Sequence, residues 1–330
     1  MEVRALKNLY LHIGYPKTGT TSIQSFMAKN TAALMRRGIL YPETGRMHDA
    51  HYGYNFSLGI GKYDGTQKLG TPEQLLAELK KEVERSGCEN IVISSEYFIL
   101  TRAQQKVKDF FADYNVKIVV YLRRHDHAFE SAFAQSEKTT PNPPWEPNIS
   151  SYTLHAICSD AIPYDYLNIL LRWREFFGKG NIIVRPYEKQ QNTPDLFADF
   201  LRITGIEDAP EFARPGTVNS SISREALQSI RIIQGLKLSP ALKNKVLNRV
   251  MSAGASTGND KYFSPEMRNV VIRKYTPAYK AIAREFLGRA DGVLFKEAIP
   301  KAGDPWTPPQ PPNVEQILNS VIEAMAPLAE

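Results

Sequence analysis

The stretch "LYLHIGYPKTGTTSIQSF", residues 9–26, decides the fold of this chain. It joins a short apolar run to a glycine-bounded loop and then to a helical pattern, which is how a phosphate-binding loop begins. In a Walker A loop, a lysine follows the second glycine and reaches the phosphates of a nucleoside triphosphate. Gly14 and Gly19 keep the Walker spacing, but Thr20 follows Gly19, and the lysine lies inside the loop at Lys17. The stretch therefore predicts a phosphate-type loop with a displaced lysine.

The composition of this loop favours anion binding even without a contribution from its lysine. Backbone N–H groups at the start of a helix point toward an anion, and the helix dipole favours negative charge there. Hydroxyl side chains add further donors in the same place. We expect the anion to be held by residues of this loop, namely Pro16, Lys17, Thr18, Gly19, Thr20, Thr21 and Ser22.

Strand and helix patterns alternate along the first two thirds of the chain. This alternation favours an α/β fold with a parallel sheet and helices on both faces. The run "VKIVVYL" is the clearest buried strand, because it is apolar almost throughout. The predicted strands are residues 9–13, 39–41, 90–95, 116–122 and 181–187.

Helix boundaries are also marked in the sequence. Residues 20–38 predict one helix, and residues 72–86 predict a second helix with a capping box and a proline in its first turn. Residues 195–204 predict a third helix, capped by Thr193 and Pro194.

Three stretches are predicted along the chain. An α/β core covers residues 1–213, a helical elaboration of the same domain covers 214–300, and a proline-rich connector with a C-terminal helix covers 301–330. The division rests on the strand signals, which stop near residue 214, and on the prolines after residue 301, which propagate neither helix nor sheet.

Composition excludes several classes of protein. An apolar fraction of 42% in 330 residues is typical of a globular chain. No apolar run approaches the roughly 18 residues needed to cross a bilayer, and the loop follows the N-terminus too soon for a signal peptide. Cys88 and Cys158 form neither a C-x-x-C pair nor a disulfide framework. We expect a cytoplasmic protein without a membrane span.

The net charge of +6 is unevenly distributed. Residues 214–296 hold 15 Lys and Arg against 5 Asp and Glu. This balance fits an anionic partner, or simply the solvated faces of several helices. Because the chain has no RNP, zinc-finger or similar motif, we expect no nucleic-acid partner.

A second candidate element follows the strongest strand. Arg123 ends that strand and projects at the carboxyl edge of the sheet, where open α/β folds bind ligands. Ser131 lies eight residues further on, within a helical stretch. An arginine and a hydroxyl brought together suit a phosphate oxygen. We expect the neighbouring Arg124 to be an exposed or structural charge.

With both elements in place, the chain resembles the sulfotransferases that use 3′-phosphoadenosine 5′-phosphosulfate (PAPS). "PKTGTTSIQ" resembles the 5′-phosphosulfate loop of that family, and "YLRRHDHAFESAF" resembles its 3′-phosphate motif, although His125 and Asp126 replace the frequent Asp and Pro. "VRPYEKQQNTPDLFADFL" resembles a further family segment. "NSSISREALQSI" and "YKAIAREFLGRADGVLF" resemble the C-terminal part of bacterial members. The resemblance spans roughly residues 9–295.

The resemblance implies roles for particular residues. Lys17, Thr20 and Thr21 match the positions that hold the 5′-phosphosulfate, and Arg123 and Ser131 match those that hold the 3′-phosphate. It implies PAPS as co-substrate, its desulfonated form PAP as product, and no metal. Some relatives close a basic loop over the nucleotide, and the corresponding loop here predicts two further contacts, Arg214 and Ser220.

The acceptor hydroxyl needs a base, and several side chains are candidates. Glu96 ends the strand "NIVISS" at the same sheet edge as Lys17, which makes it the first choice. The family often places its base near this edge or after the second strand, so His48, His51 and Glu43 also stay open as candidates.

The acceptor itself is predicted only in outline. The loop at 42–70, with its aromatic residues Tyr52, Tyr54, Phe56 and Tyr63, and the stretch 138–165 are expected to frame its site. Aromatic rings beside polar groups suit a glycan or a small hydroxylated molecule. Two further classes of protein stay open: a P-loop kinase dependent on a nucleoside triphosphate, and a non-enzymatic protein that binds nucleotides or polyanions.

Overall fold

The computed structural model describes residues 6–63, 65, 69–159, 164–216, 221–256, 261–310 and 313–325. The chain forms two compact units, each made of three separate stretches. The first comprises Met1–Arg124, Pro163–Gly216 and Thr276–Glu297, and the second comprises His125–Ile162, Thr217–Tyr275 and Ala298–Glu330. The division predicted from the sequence, at residues 213 and 300, stays a prediction.

A five-stranded sheet forms the centre of the first unit. Its strands are all parallel and lie in the order β2–β3–β1–β4–β5. They are β1 (Asn8–His12), β2 (Ile39–Leu40), β3 (Asn90–Ser94), β4 (Asn115–Leu122) and β5 (Ile182–Pro186). The predicted α/β class is confirmed. Because β1 lies in the middle, the loop after it leaves the sheet between the carboxyl ends of β3 and β4.

Some of the helices pack against this sheet in the first unit, and others make up most of the second unit. In chain order they are α1 (Thr20–Lys29), α2 (Thr31–Arg36), α3 (Tyr52–Ser57), α4 (Pro72–Ser86), α5 (Gln104–Phe110), α6 (His125–Thr139), α7 (Ile149–Cys158), α8 (Tyr166–Phe177), α9 (Leu196–Ile203), α10 (Arg224–Gly235), α11 (Pro240–Ala253), α12 (Pro265–Leu287) and α13 (Val314–Met325). Short 3₁₀ turns cover Glu96–Leu100 and Lys179–Asn181.

The core of the first unit explains where α1 lies. Its residues Ile23, Phe26 and Met27 are fully buried in one apolar cluster with the sheet residues Val92 and Val119. Side chains alternate between the faces of a strand, so the equally buried Ile118 and Val120 belong to the other face of β4. Both faces of the sheet are therefore covered, as parallel sheets require.

The predicted helix over residues 20–38 is divided in two. Asn30 separates α1 from α2, and its side-chain amide donates to the Phe26 carbonyl at 2.8 Å and to the Ala213 carbonyl at 3.0 Å. A side chain that bonds nearby backbone in this way competes with helix continuation. The capping box of α4 is present as expected, with Thr71 and Gln74 bonded reciprocally.

Two other boundary predictions need correction. Asp195, not Thr193 and Pro194, caps α9, because its carboxylate accepts from the Ala198 N–H at 2.8 Å. Strands were predicted to stop near residue 214, but β6 (Ser221–Ile222) and β7 (Ala255–Ser256) form a short antiparallel pair beyond it.

The second unit contains mainly helices. Its apolar cluster joins α10, α11 and α13 through buried side chains such as Ile233, Val246 and Ile317. Within the part of the chain that the structure describes, no helix combines the length and apolarity that crossing a membrane requires.

Candidate functional site

The loop between β1 and α1 is held against β4. The Ile13 N–H donates to the Val119 carbonyl at 3.0 Å, and the Tyr15 N–H donates to the Tyr121 carbonyl at 3.2 Å. Thr18 is fully buried, and its hydroxyl donates to the Tyr15 carbonyl at 2.6 Å. This hydroxyl therefore closes the loop on itself instead of making the predicted contact with an anion.

Gly19 ends the loop at a place that favours glycine. Its φ of 77° lies in the left-handed region, and a Cβ there would lie 2.5 Å from Cδ2 of Leu196. The first turn of α1 has no side-chain cap among the described residues and no acidic residue. Its N–H groups are therefore available to an anion, with the exposed Thr21 and the half-buried Ser22 beside them.

Lys17 and Arg123 come together at the sheet edge. Arg123 Nη1 donates to the Lys17 carbonyl at 3.0 Å, and its guanidinium lies 5.6 Å from the ring centre of Tyr187. The Tyr166 hydroxyl donates to the Arg123 carbonyl at 3.0 Å. Two basic residues thus border the start of α1, and the Lys17 side chain is exposed there.

Glu96 lies on the other side of the loop, directly after β3. A Cβ placed on Gly14 would lie 3.4 Å from the Glu96 Cβ, so the carboxylate stem packs against the loop backbone. Glu96 Oε1 accepts from the Tyr52 hydroxyl at 2.7 Å, and Oε2 accepts from Gln24 Nε2 at 3.0 Å. A carboxylate has about four acceptor sites, so each oxygen keeps capacity for one further donor.

Gln24 was missed by the sequence reasoning, although a signal was present. It is a polar residue within the buried face of α1, beside Ile23 and Phe26. Buried polar side chains need hydrogen-bond partners, and Gln24 finds them in Glu96 and in the Ser94 hydroxyl at 3.2 Å. Gln24 thus holds the Glu96 carboxylate from α1.

Tyr52 supports Glu96 from the other direction. Burial raises the pKa of the Tyr52 phenol, and the negative charge of Glu96 raises that pKa further. The phenol therefore stays protonated and donates its hydrogen bond to the carboxylate. Around it, partly buried rings form an aromatic group, defined as Tyr52, Phe56, Tyr63 and Tyr97, whose contacting ring centres are 5.2–6.2 Å apart.

One predicted aromatic residue has a different place. Tyr54 is fully buried, and its ring packs against Phe110 and Phe111 at centroid distances of 5.7 and 5.8 Å. It belongs to the core between α3 and α5 and does not frame an acceptor site.

His51 is a poor candidate for the base. It is fully buried, its Nε2 lies 2.9 Å from the Pro42 carbonyl, and its Nδ1 accepts from the Ser94 N–H at 3.1 Å. Both ring nitrogens are therefore engaged with backbone, which fixes a neutral tautomer. Burial lowers the pKa of His51 to about 3. This geometry argues against the predicted catalytic role.

His48 and Glu43, the remaining candidates for the base, lie at the surface. His48 is exposed in a tight turn, with a φ of 54°, and borders an open depression with Lys29, Arg46 and Asp49. The Glu43 side chain is 85% exposed, and a carboxylate oxygen lies 3.6 Å from Arg46 Nη2. Neither has the partly buried, doubly bonded setting of Glu96.

The predicted nucleotide contacts outside the loop have varied outcomes. Arg214 pairs with Asp195 at 3.0 Å and Asp208 at 2.5 Å, so two carboxylates already neutralise it, and a nucleotide contact is not supported.

The other predictions concern residues after β4 and in the C-terminal part of the chain. Arg124 donates to the Glu297 carbonyl at 3.0 Å, a structural charge as expected. Ser131 lies on α6 in the second unit, so its pairing with Arg123 stays a prediction. Ser220 lies outside the described residues.

The two buried histidines, His12 and His51, should make the free energy of unfolding depend on pH. Burial lowers the pKa of His12, like that of His51, to about 3. The unfolded chain binds protons below about pH 6.5 where the folded chain does not, so stability falls as the pH falls below that value. Between about pH 7.5 and 5.5, the two histidines should lower the free energy of unfolding by about 3 kcal/mol.

Urea unfolding at both pH values measures this loss. His12→Asn keeps a polar atom near the position of Nδ1, which lies 2.8 Å from the Ser94 hydroxyl, and should remove about half of the pH-dependent loss. An unchanged pH dependence in this variant would show that His12 is not kept neutral by the fold.

The sheet order and the loop between β1 and α1 make this chain a P-loop-like α/β protein, with Arg123 against that loop at the sheet edge. No family model matches the chain. An uncharacterized protein of Archaeoglobus fulgidus is 28% identical over 215 residues, which cover 63% of this chain and 56% of that protein. The match thus spans little more than half of that relative's length.

Three solved structures are similar to this chain. A sulfotransferase from Alicyclobacillus acidocaldarius matches with 15% identity and a TM-score of 0.40, over 70% of this chain and 93% of its own. Mouse sulfotransferase SULT7A1, complexed with PAP, matches with 16% identity and a TM-score of 0.40, over 87% of both chains. The sulfotransferase domain from the curacin biosynthetic pathway matches with 11% identity and a TM-score of 0.39, over 66% of this chain and 80% of its own.

Proposed function

We propose that this protein is a sulfotransferase that moves the sulfuryl group of PAPS to a hydroxyl of a glycan or a small molecule. One observation carries the proposal: Arg123, from the element that resembles a 3′-phosphate motif, donates directly to the Lys17 carbonyl of the anion loop. The two elements that resemble PAPS-binding motifs thus meet at one sheet edge, with a carboxylate beside them.

The loop and α1 would bind the phosphosulfate. The uncapped N–H groups of the first turn supply donors and a favourable dipole, and Thr21 and Ser22 add hydroxyls. Lys17 supplies positive charge where the leaving 5′-phosphate gains negative charge. Such a group acts mainly in the transition state, because charge on the bridging oxygen develops only as the bond to sulfur breaks.

Arg123 would bind a phosphate that does not react. Its Nη1 is used by the loop, while the planar guanidinium has four further N–H donors. A phosphate held in this way is present in PAPS and in PAP alike, so it contributes to binding and positioning more than to the chemical step. Ser131 is its proposed partner for the same phosphate.

Glu96 would act as the base. The acceptor oxygen bonds to sulfur as the bond from sulfur to the bridging oxygen breaks, and the hydroxyl proton moves to the Glu96 carboxylate. Tyr52 and Gln24 hold that carboxylate in place. The aromatic group beside it offers ring faces of the kind that sugars and aromatic alcohols pack against.

A kinase function has less support from the loop. Phosphoryl transfer in P-loop enzymes uses a lysine after the second glycine together with Mg²⁺ ligands. Here the residue after Gly19 is Thr20, which is only 6% exposed at the start of α1. The lysine that is present, Lys17, lies two residues before Gly19 and has a backbone φ of 66°.

A thermal shift experiment separates the three functions. A ligand that binds only the folded state stabilises it by about 2.7 kcal/mol at a hundredfold excess over its Kd. We expect PAP to raise the melting temperature strongly, and we expect smaller shifts with ATP–Mg²⁺ and with heparin.

Two variants make the result specific. Arg123→Ala should reduce the PAP shift, whereas Glu43→Gln, which alters an exposed carboxylate, should leave it unchanged. A clear shift with ATP–Mg²⁺ and none with PAP would favour the kinase, and a shift with heparin alone would favour a polyanion-binding protein.

A further inference from the structure

The second unit encloses a cavity that the proposed sulfotransferase chemistry does not use. Its volume is about 350 Å³, and it is lined by residues of α6, α7, α10, the start of α12 and the proline-rich segment. The apolar wall includes Phe133, Leu227 and Phe263, each nearly or fully buried. Pockets for small organic ligands begin at about 300 Å³ and are mostly apolar with a few polar groups.

The proline-rich segment is fixed in place as one wall of this cavity. Trp306 and Pro309 line it, and Trp306 Nε1 donates to the Lys261 carbonyl at 3.0 Å. Arg224 Nη1 donates to the Thr307 carbonyl at 2.6 Å. These two bonds hold a segment that forms no helix or strand, so the wall does not depend on secondary structure.

The cavity lining carries one positive charge without a carboxylate partner among the described residues, that of Arg224. The second arginine of the lining, Arg231, pairs with Glu137 at 2.7 Å, and Glu137 accepts from Trp145 Nε1 at 2.6 Å. Arg224 instead donates to the carbonyls of Lys261 and Thr307, and both hydrogen bonds come from Nη1.

Nη2 of Arg224 makes no hydrogen bond among the described residues, since both printed bonds of the guanidinium come from Nη1, and Nη2 can therefore donate to a ligand. Within the described part of the chain, the Arg224 Nε is buried without a hydrogen-bond partner, and so is Oε1 of the neighbouring lining residue Gln228. Buried polar atoms without partners are costly. A guanidinium N–H group forms a charge-assisted hydrogen bond with a carboxylate oxygen.

We propose that this cavity binds a small aromatic carboxylate. The carboxylate pairs with Nη2 of Arg224, and the ring packs against the aromatic side chains of Phe133, Phe263 and Trp306. The site lies wholly within the second unit, and its occupancy is measured by binding alone, without turnover of PAPS.

Isothermal titration calorimetry with 2-naphthoate tests the proposal, and 2-naphthalenemethanol serves as the neutral ligand of the same shape. We expect one naphthoate per chain, bound at least tenfold more tightly than the alcohol, because the carboxylate forms a charge-assisted hydrogen bond that the alcohol lacks. Arg224→Gln should remove this preference. Arg249→Gln is the matched control, since Arg249 is 53% exposed and pairs with Glu323 on α13.

Arg224 also donates to the Thr307 carbonyl of the proline-rich segment, so Arg224→Gln could lower affinity by displacing that segment. A second variant, which leaves this bond intact, removes the ambiguity. Met267 lines the cavity and is 38% exposed, so Met267→Trp should narrow the cavity without disturbing the core. It should weaken naphthoate and the alcohol alike, by about tenfold or more. PAP binding should not change in either variant.

Two results would overturn the proposal. One is the absence of naphthoate binding at millimolar concentration in the parent protein. The other is naphthoate affinity that neither Arg224→Gln nor Met267→Trp lowers. Neither result would bear on the sulfotransferase proposal, which is tested by PAP.

Discussion

Replacing Lys17 with alanine is expected to lower kcat by about 10²–10³-fold, which is the usual effect of removing one group that stabilises charge in the transition state. The side chain of Lys17 is exposed at the start of α1, while its carbonyl is held by Arg123. The KM for PAPS should change little, because the charge that Lys17 stabilises develops during transfer, whereas PAP carries that charge in full and should bind more weakly. Steady-state kinetics and PAP titration measure the two effects separately.

The backbone at Lys17 calls for a second variant. Its φ of 66° lies in the left-handed region, which asparagine tolerates better than alanine. Lys17→Asn should therefore lose as much turnover as Lys17→Ala while keeping the melting temperature of the parent. If Lys17→Asn retained most of the parent kcat, the loss in the alanine variant would come from the loop backbone and not from the missing amine.

Arg123→Ala supplies the opposite pattern. Its phosphate is bound before and after transfer, so the variant should raise KM for PAPS and weaken PAP by about tenfold to a hundredfold. An equal rise in the KM for PAPS in the Lys17 and Arg123 variants would contradict the division of roles between them.

The parts of this site that could be predicted from sequence are those that local spacing determines. Gly14, Gly19 and the apolar run before them specify a strand, a loop and a helix in order. Arg123 directly follows the most apolar strand. In a parallel sheet, all strands present their carboxyl ends at one edge, and because β1 also pairs with β4, Arg123 meets the Lys17 loop there.

Side-chain partners brought together from distant parts of the chain could not be predicted in this way. His51 resembled a base because histidine titrates near neutral pH, yet Ser94 and Pro42 hold both of its nitrogens. Arg214 resembled a nucleotide contact, yet Asp195 and Asp208 neutralise it. Whether a polar residue is already satisfied depends on what the tertiary fold packs against it, and a local pattern does not contain that information.

The same limit applies to Glu96, whose position was predicted but whose partners were not. The strand end before it placed the carboxylate at the correct edge. Tyr52 and Gln24 then come from α3 and α1, which lie far from β3 in sequence. Their two hydrogen bonds distinguish Glu96 from the exposed Glu43 and His48, and they make it the side chain on which the chemical step is best tested.

Glu96→Gln is expected to lower kcat by roughly 10²–10⁴-fold, the usual contribution of a positioned acid–base group. Glutamine keeps the length of the side chain, and its carbonyl oxygen can still accept from the Tyr52 hydroxyl, so the site should stay folded. The amide cannot take the acceptor proton. PAP affinity should be unchanged within about twofold, since the substitution alters the acceptor side and leaves Lys17 and Arg123 in place.

Matched variants separate a base from a merely structural carboxylate. Glu43→Gln and His48→Ala alter the two exposed candidates and should keep kcat near that of the parent, because neither side chain has the bonds that fix Glu96. Gln24→Met removes the bond to Oε2 and should lower kcat by about tenfold to a hundredfold without changing PAP affinity, as expected for lost orientation of a charged group. A Glu96→Gln enzyme within about threefold of the parent, measured where transfer limits the rate, would remove Glu96 from the mechanism. If His48→Ala then abolished turnover, His48, in the turn after β2, would be the base that takes the acceptor proton.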